Sequence, residues 1–218
     1  MKLNIDIPTS LSEITLRQYK KFLKLQKTSE DERFLTSKMI EIFCNLDLKD
    51  VMLLKLKDTD KISIVLSNMF ESKPKLVTRF KIGSKEYGFH PQLDDLTLGE
   101  YIDLDTYLGD WENIEKAMNV LYRPITTTLN NKYSIKEYKL GTEQVLLDMP
   151  MDAVMSSIFF FWNLGLELSE IMTNFLDNPM EENQALIQYL NSEINGGGIS
   201  QFTDSLKETL QGLKISLN

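Results

Sequence analysis

The sequence predicts a mainly α, multi-helix globular fold with one β-hairpin at about residues 76–89 and room for a short N-terminal strand. Three observations carry that prediction. A helix-start pattern is used twice, apolar residues recur every three or four positions over most of the chain, and a Gly-Ser pair separates two short runs of β-forming residues. The helix-start pattern Leu11-Ser12-Glu13-Ile14-Thr15-Leu16-Arg17-Gln18-Tyr19 is answered by Leu93-Asp94-Asp95-Leu96-Thr97-Leu98-Gly99-Glu100-Tyr101. In each, a threonine stands three residues before a Gln or Glu. At that spacing the hydroxyl accepts from the third helical N–H while the longer side chain reaches back to the cap N–H. Ile14 and Leu96, just before the threonines, are placed to staple against Tyr19 and Ile102.

Taken in order, Leu3, Ile5 and Ile7 alternate with polar residues until Pro8, the pattern of a short strand. After the first capping box, Leu16, Tyr19, Phe22 and Leu23, with Gln26 next, form one helical stripe opposite a row of lysines. Phe34, Leu35, Met39, Ile42, Phe43 and Leu46 repeat the stripe, and the segments around Val51–Leu56 and Ile62–Phe70 predict two further short helices. Leu76–Ile82 and Lys85–Phe89 flank Gly83-Ser84, where glycine can supply the positive φ of a type II′ turn. Pro91 ends the hairpin. The second capping box predicts a helix to about Tyr107, and Trp111–Tyr122 predicts another, stopped by Pro124, which disfavours helical geometry at Arg123. Tyr133–Tyr138 is ambiguous. Met151–Leu176 is apolar nearly all round, the signature of a central core helix, and Asn178-Pro179 breaks it. Two amphipathic helices, Glu181–Ile194 and Ile199–Leu213, follow around Gly196-Gly197-Gly198.

These elements group as an N-terminal helical region (1–75), the hairpin (76–93), a central helical core (94–178) and a C-terminal helical pair (179–218). The 218 residues suffice for a substantial core. No run approaches the ~20 apolar residues of a membrane helix, and the start Met-Lys-Leu-Asn-Ile-Asp-Ile-Pro lacks an apolar signal core, so the expectation is a protein without a membrane segment that is intracellular at synthesis. Cys44, alone among Ile40, Ile42 and Phe43, reads as a small buried hydrophobe. The net charge of −8 conceals an asymmetry: residues 1–93 hold 17 Lys and Arg against 12 Asp and Glu, whereas residues 94–218 hold 7 against 20. Opposite signs favour contacts between the halves, within one molecule or head to tail between copies; two solvated faces of different composition are the plainer alternative.

Catalytic chemistry is hard to assemble from these residues. His90 is the one histidine, so zinc and histidine-based constellations lack their numbers. The triple glycine is not followed by Lys-Ser or Lys-Thr and so is not a phosphate-binding loop. Asp94, Asp95, Glu100, Asp103, Asp105, Asp110 and Glu112 offer carboxylates for a metal-dependent hydrolase. However, an EF-hand begun at Asp103 meets Leu108 where glycine belongs and Ile114 where the bidentate glutamate belongs. Several of these acids also suit the first turns of helices. Lys20, Lys21, Lys24 and Lys27, with Arg17, form a basic face without any recognition motif, so no specific nucleic-acid recognition is predicted.

Leu96-Thr97-Leu98-Gly99-Glu100-Tyr101-Ile102-Asp103-Leu104-Asp105, then Trp111-Glu112-Asn113 and Leu121-Tyr122-Arg123-Pro124-Ile125, resembles small proteins encoded among the structural genes of tailed bacteriophages, including crAss-like phages. The likeness runs on through Tyr133–Tyr138 and Phe159–Trp162 and covers about half of the chain. It implies a non-enzymatic virion protein without a cofactor, structural or cargo, associated with the portal and tail. Its partners would be portal or tail proteins and further copies of itself, and its location the virion, after synthesis and assembly in the host cytoplasm. A tail assembly chaperone absent from the mature particle is the alternative. The residues themselves suggest a compatible role: Tyr101, Leu104, Leu121 and Tyr122 packing between two helices, and Arg123 reaching Asp103 or Asp105 to lock a helix-to-loop junction, or else serving a partner at the surface.

Overall fold

The computed structural model describes residues 5–130 and 132–177, with backbone alone from 167 onward. Both capping boxes form. Thr15 caps α1 (Leu16–Thr28) and Thr97 caps α5 (Leu98–Tyr107), each with the reciprocal bond from its Gln or Glu. Asp31 caps α2 (Glu32–Phe43) by accepting from the amides of Arg33 and Phe34. That helix ends in a Schellman closure: Asn45 takes φ 52° and the Leu46 amide donates to the Glu41 carbonyl at 3.1 Å. Asparagine is among the few residues that tolerate this left-handed position. The next helices are α3 (Leu48–Val51) and α4 (Leu56–Phe70). The predicted helix at Val51–Leu56 is therefore displaced, for residues 52–54 form the turn between them. Residues 5–9 form no strand; Ile5 and Ile7 rest against the core as irregular chain, so the alternation reflects half-burial without a pairing partner.

The hairpin is present as β1 (Arg79–Ile82) and β2 (Lys85–Phe89), in the register Ile82↔Lys85, and Gly83 supplies a φ of 59° at the turn. It is half of a larger sheet. After α6 (Ile114–Leu121) the chain passes without a loop into β3 (Tyr122–Leu129), which pairs with β2, and β4 (Lys132–Ile135) completes an antiparallel sheet in the order β1-β2-β3-β4. Two expectations are corrected here: the helix predicted over Trp111–Tyr122 spans only Ile114–Leu121, and the segment holding Pro124 is a strand. The ambiguous stretch Tyr133–Tyr138 lies partly in β4. Pro124 is tolerated because it is the last β3 residue paired with β2 and lies beside the irregularity between Ile125 and Thr127, where a missing ladder donor costs least.

The final described helix, α7 (Met151–Asp177), is buried on successive positions Ala153–Phe159, as expected of a central helix, but Leu164 and Leu166 are exposed, so the core contact ends within its first half. Its start is tied to the start of α1: Leu16 N–H donates to Met149 O at 3.0 Å and Met151 N–H to Ile14 O at 2.9 Å. One apolar cluster runs from Leu11 through α2, the sheet and α6 to Phe161, drawing on all three predicted segments up to residue 177. Mainly α is the fold class observed, with one small sheet. The predicted C-terminal pair, 179–218, lies outside the described residues.

Candidate functional site

At the start of α5, the Glu100 carboxylate has both oxygens engaged. Oε2 accepts from the Thr97 amide and hydroxyl, each at 2.8 Å, and Oε1 meets Arg123 Nη1 at 2.8 Å. The two side chains are only 5% and 8% exposed. Arg123 therefore pairs with Glu100, not with Asp103 or Asp105, and it locks a helix-to-strand junction instead of a helix-to-loop one. Asp103 is taken by Tyr138, whose hydroxyl donates to it at 2.6 Å, and Asp105 is half-buried, its pKa raised by that burial.

Geometry explains the choice. Arg123 sits opposite Gly88 on β2, and successive strand residues point to opposite faces. Tyr122 consequently enters the core, where its hydroxyl donates to Val77 O at 2.7 Å and its ring meets those of Phe80 and Phe89. Ser157 of α7 lies 2.9 Å from the same hydroxyl. Arg123 points the other way and meets the first turn of α5. Arg123 Nε is buried without a hydrogen-bond acceptor among the described residues.

His90, at the end of β2, borders this pair. Its amide donates to Leu121 O at 2.7 Å, and its Nδ1 accepts from the Gln92 amide at 3.3 Å. Burial lowers its pKa, and the Arg123 guanidinium lowers it further, against opposing pulls from Glu100 and Asp95. Burial by itself would raise the pKa of Glu100, but the Thr97 bonds, Arg123 and His90 outweigh it and the carboxyl titrates low. Burial also pulls the Arg123 pKa down and Glu100 pulls it back; a guanidinium stays charged throughout. With both Glu100 oxygens engaged and the pair buried, this cluster ties the first turn of α5 to β3. Among the described residues, no group of three or more His, Cys, Asp or Glu is placed to hold a metal ion, and no helix is long and apolar enough to cross a membrane.

The lock fixes which side of α5 faces outward. Leu98 is 75% exposed, Tyr101 46% and Ile102 52%, while Leu104 is buried against the interior. Tyr101 thus is not buried as its pattern suggested; Leu104 and Leu121 are, and Tyr122 is buried from β3, against the rings of Phe80 and Phe89, instead of from a helix. Leu98, Tyr101 and Ile102 stand at i, i+3 and i+4, one contiguous apolar edge on a helix surface.

The basic face of α1 is largely spent inside the molecule. Half-buried Lys20 pairs with the buried Glu115 and donates to Glu112 O at 2.9 Å; Lys27 reaches Glu112 at 3.1 Å and Arg17 reaches Asp148 at 2.8 Å. The opposite charges of the two halves therefore meet, in part, within one chain. The sequence reading did not pair Glu100 with Arg123, and it missed Glu115 and the buried Asn119, whose Nδ2 donates to Lys139 O at 2.9 Å. The capping box did single out Glu100, but as a local cap whose work was complete. Burial of Cys44 pushes its thiol pKa up to about 11, which makes it an inert core residue. Comparison with protein-family models, with curated proteins and with solved structures finds no match for this chain.

Proposed function

We propose that this chain is a non-enzymatic component of a tailed-bacteriophage particle, a structural or cargo protein of the portal and tail region, acting through protein–protein contacts. The single observation that carries the contact role is the exposed apolar edge of α5, presented by a helix whose orientation a buried ion pair fixes. Isolated exposed apolar residues need no explanation, but three adjoining ones on a locked helix have the form of a recognition surface. The phage assignment rests on the resemblance around residues 96–125. Portal or tail proteins and further copies of the chain are its proposed partners, and the virion, reached from the host cytoplasm, its proposed location.

A tail assembly chaperone is the second reading, favoured by the acidic net charge of −8, which keeps a soluble carrier from associating prematurely. A metal-dependent hydrolase would turn on Asp103, which here accepts from Tyr138; Mg²⁺ or Mn²⁺ binding abolished by Asp103→Asn would support it. Quantitative mass spectrometry of purified particles separates the first two. A fixed ratio to the portal protein supports a virion component, and abundance in infected cells with absence from particles supports the chaperone.

A further inference from the structure

We infer that α5 of one copy docks, apolar edge first, into a lysine-rimmed groove on a second copy, giving a head-to-tail contact between identical chains. The inference rests on the proposed role in protein contacts and names the partner of that surface.

The groove lies between the segment leading into β1 and the first half of α7. Lys73, Pro74, Lys75, Leu76, Phe160 and Trp162 line it around a volume of about 330 Å³. Its floor is mostly apolar and aromatic, with Ser156 and Asn163 as polar members, and its rim is cationic. Lys73 and Lys75 are both exposed, and neither has a carboxylate within ion-pair distance among the described residues. The surrounding stretch 71–86 carries five Lys and Arg against two Glu.

The α5 surface is its complement in form and sign. Residues 94–110 hold six Asp and Glu and no Lys or Arg. Glu100 is consumed by Arg123, and Asp94 and Asp95 remain exposed just before the helix. Leu98, Tyr101 and Ile102 provide the i, i+3, i+4 anchors by which an amphipathic helix enters a hydrophobic groove. Complementary potentials steer such an encounter and fix its register, and like charges brought together disfavour the wrong one.

The two surfaces cannot meet within one chain in this fold. α5 packs on α6 and is pinned to β3 through Glu100 and Arg123, whereas the groove belongs to α7 and the segment before β1. Of the α1 lysines, Lys20 and Lys27 already meet Glu115 and Glu112, while the exposed Lys21 and Lys24 stand on a helix face without the apolar, aromatic floor that the α5 edge requires. A contact that joins two different patches leaves one of each free on every pair, so association continues to a closed ring or an open filament.

The test is sedimentation velocity of the full chain over a concentration series, with two one-sided variants. Lys73→Glu with Lys75→Glu spoils the groove; Leu98→Asp with Ile102→Asp spoils the helix edge. All four positions are exposed, and circular dichroism checks that both variants fold. The wild-type chain is expected to form species larger than a dimer, less so at high salt. Each variant alone should lose at least about a hundredfold in association: the groove variant sets like charges against the acidic α5, and the edge variant replaces two apolar anchors with carboxylates that the apolar floor cannot solvate. Mixed in equal amounts, the two variants should form one-to-one complexes and nothing larger, because one intact helix edge then meets one intact groove. A wild-type chain that stays monomeric overturns the inference. So does association that survives the groove variant, which would mean a symmetric α5–α5 contact, or a mixture that stays monomeric, which would mean a different occupant. Particle mass spectrometry fails independently: absence from particles removes the virion reading and leaves a measured head-to-tail contact standing.

Discussion

Replacing Arg123 by methionine keeps most of the side chain's length and removes its charge, and it is the sharpest test of the junction between α5 and β3. The cost follows from the surroundings. Glu100 is 5% exposed and Arg123 8%, with Nη1 2.8 Å from Oε1. Two unit charges about 4 Å apart at an effective dielectric constant of ~20 attract by about 4 kcal/mol. Removing one member of such a pair typically costs about 3–5 kcal/mol because the other is left buried and charged. Glu100 keeps its two bonds from Thr97, which places the expected loss at the lower end, about 3 kcal/mol. For a chain of this size that corresponds to a melting midpoint lower by about 10 °C. The assay is urea unfolding followed by circular dichroism, with Glu100→Gln and the double variant closing the cycle. The double variant should be more stable than the sum of the two losses predicts, by more than about 1 kcal/mol. If Arg123→Met costs under about 1 kcal/mol, or if the cycle shows no coupling, the pair is not what orients α5.

Four further outcomes are expected. Gly88→Ala should destabilise by about 1–3 kcal/mol in urea unfolding, because the added Cβ runs into the Tyr133 ring, which is held in place by its hydroxyl bond to Phe89 O at 2.7 Å. The companion Tyr133→Leu should recover part of that loss. Lys20→Met should cost about 3 kcal/mol, far more than Lys21→Met on the exposed face, since Glu115 would be left buried without its partner. Gln18→Glu should cost about 1–3 kcal/mol in thermal unfolding even though it preserves the capping box, because Gln18 Nε2 donates to Ile42 O at 2.8 Å and a carboxylate has no proton to give. Stability measured by urea midpoint should fall as pH drops below the ordinary histidine value of 6.5, because folded His90 binds its proton more weakly than the unfolded chain does. A second loss should begin near the ordinary glutamate value of 4.5, because folded Glu100 titrates lower still. His90→Gln should remove the first loss and leave the second.

What the sequence determined by itself was local. A capping box is written over four consecutive residues, so Thr15–Gln18 and Thr97–Glu100 were legible without knowing what surrounds them. The Gly83-Ser84 turn, the burial of Cys44 and the burial of α7 over Ala153–Phe159 were legible from equally local patterns. The strand at Tyr122–Leu129 was not. Its first residues continue the helical period of α6, and only pairing with β2 decides that the chain extends at Tyr122. The tertiary structure also decided the second use of each capping box. Gln18 has an amide to spare and donates it to the end of α2; Glu100 has an oxygen to spare and offers it to Arg123 on β3. Sequence spacing fixes the near end of such a side chain, because that bond closes within one helical turn. The partner of the far end is chosen by which strand or helix the core packs beside it. Asp103 and Asp105 were the carboxylates the pattern offered to Arg123, but β3 approaches α5 at Glu100.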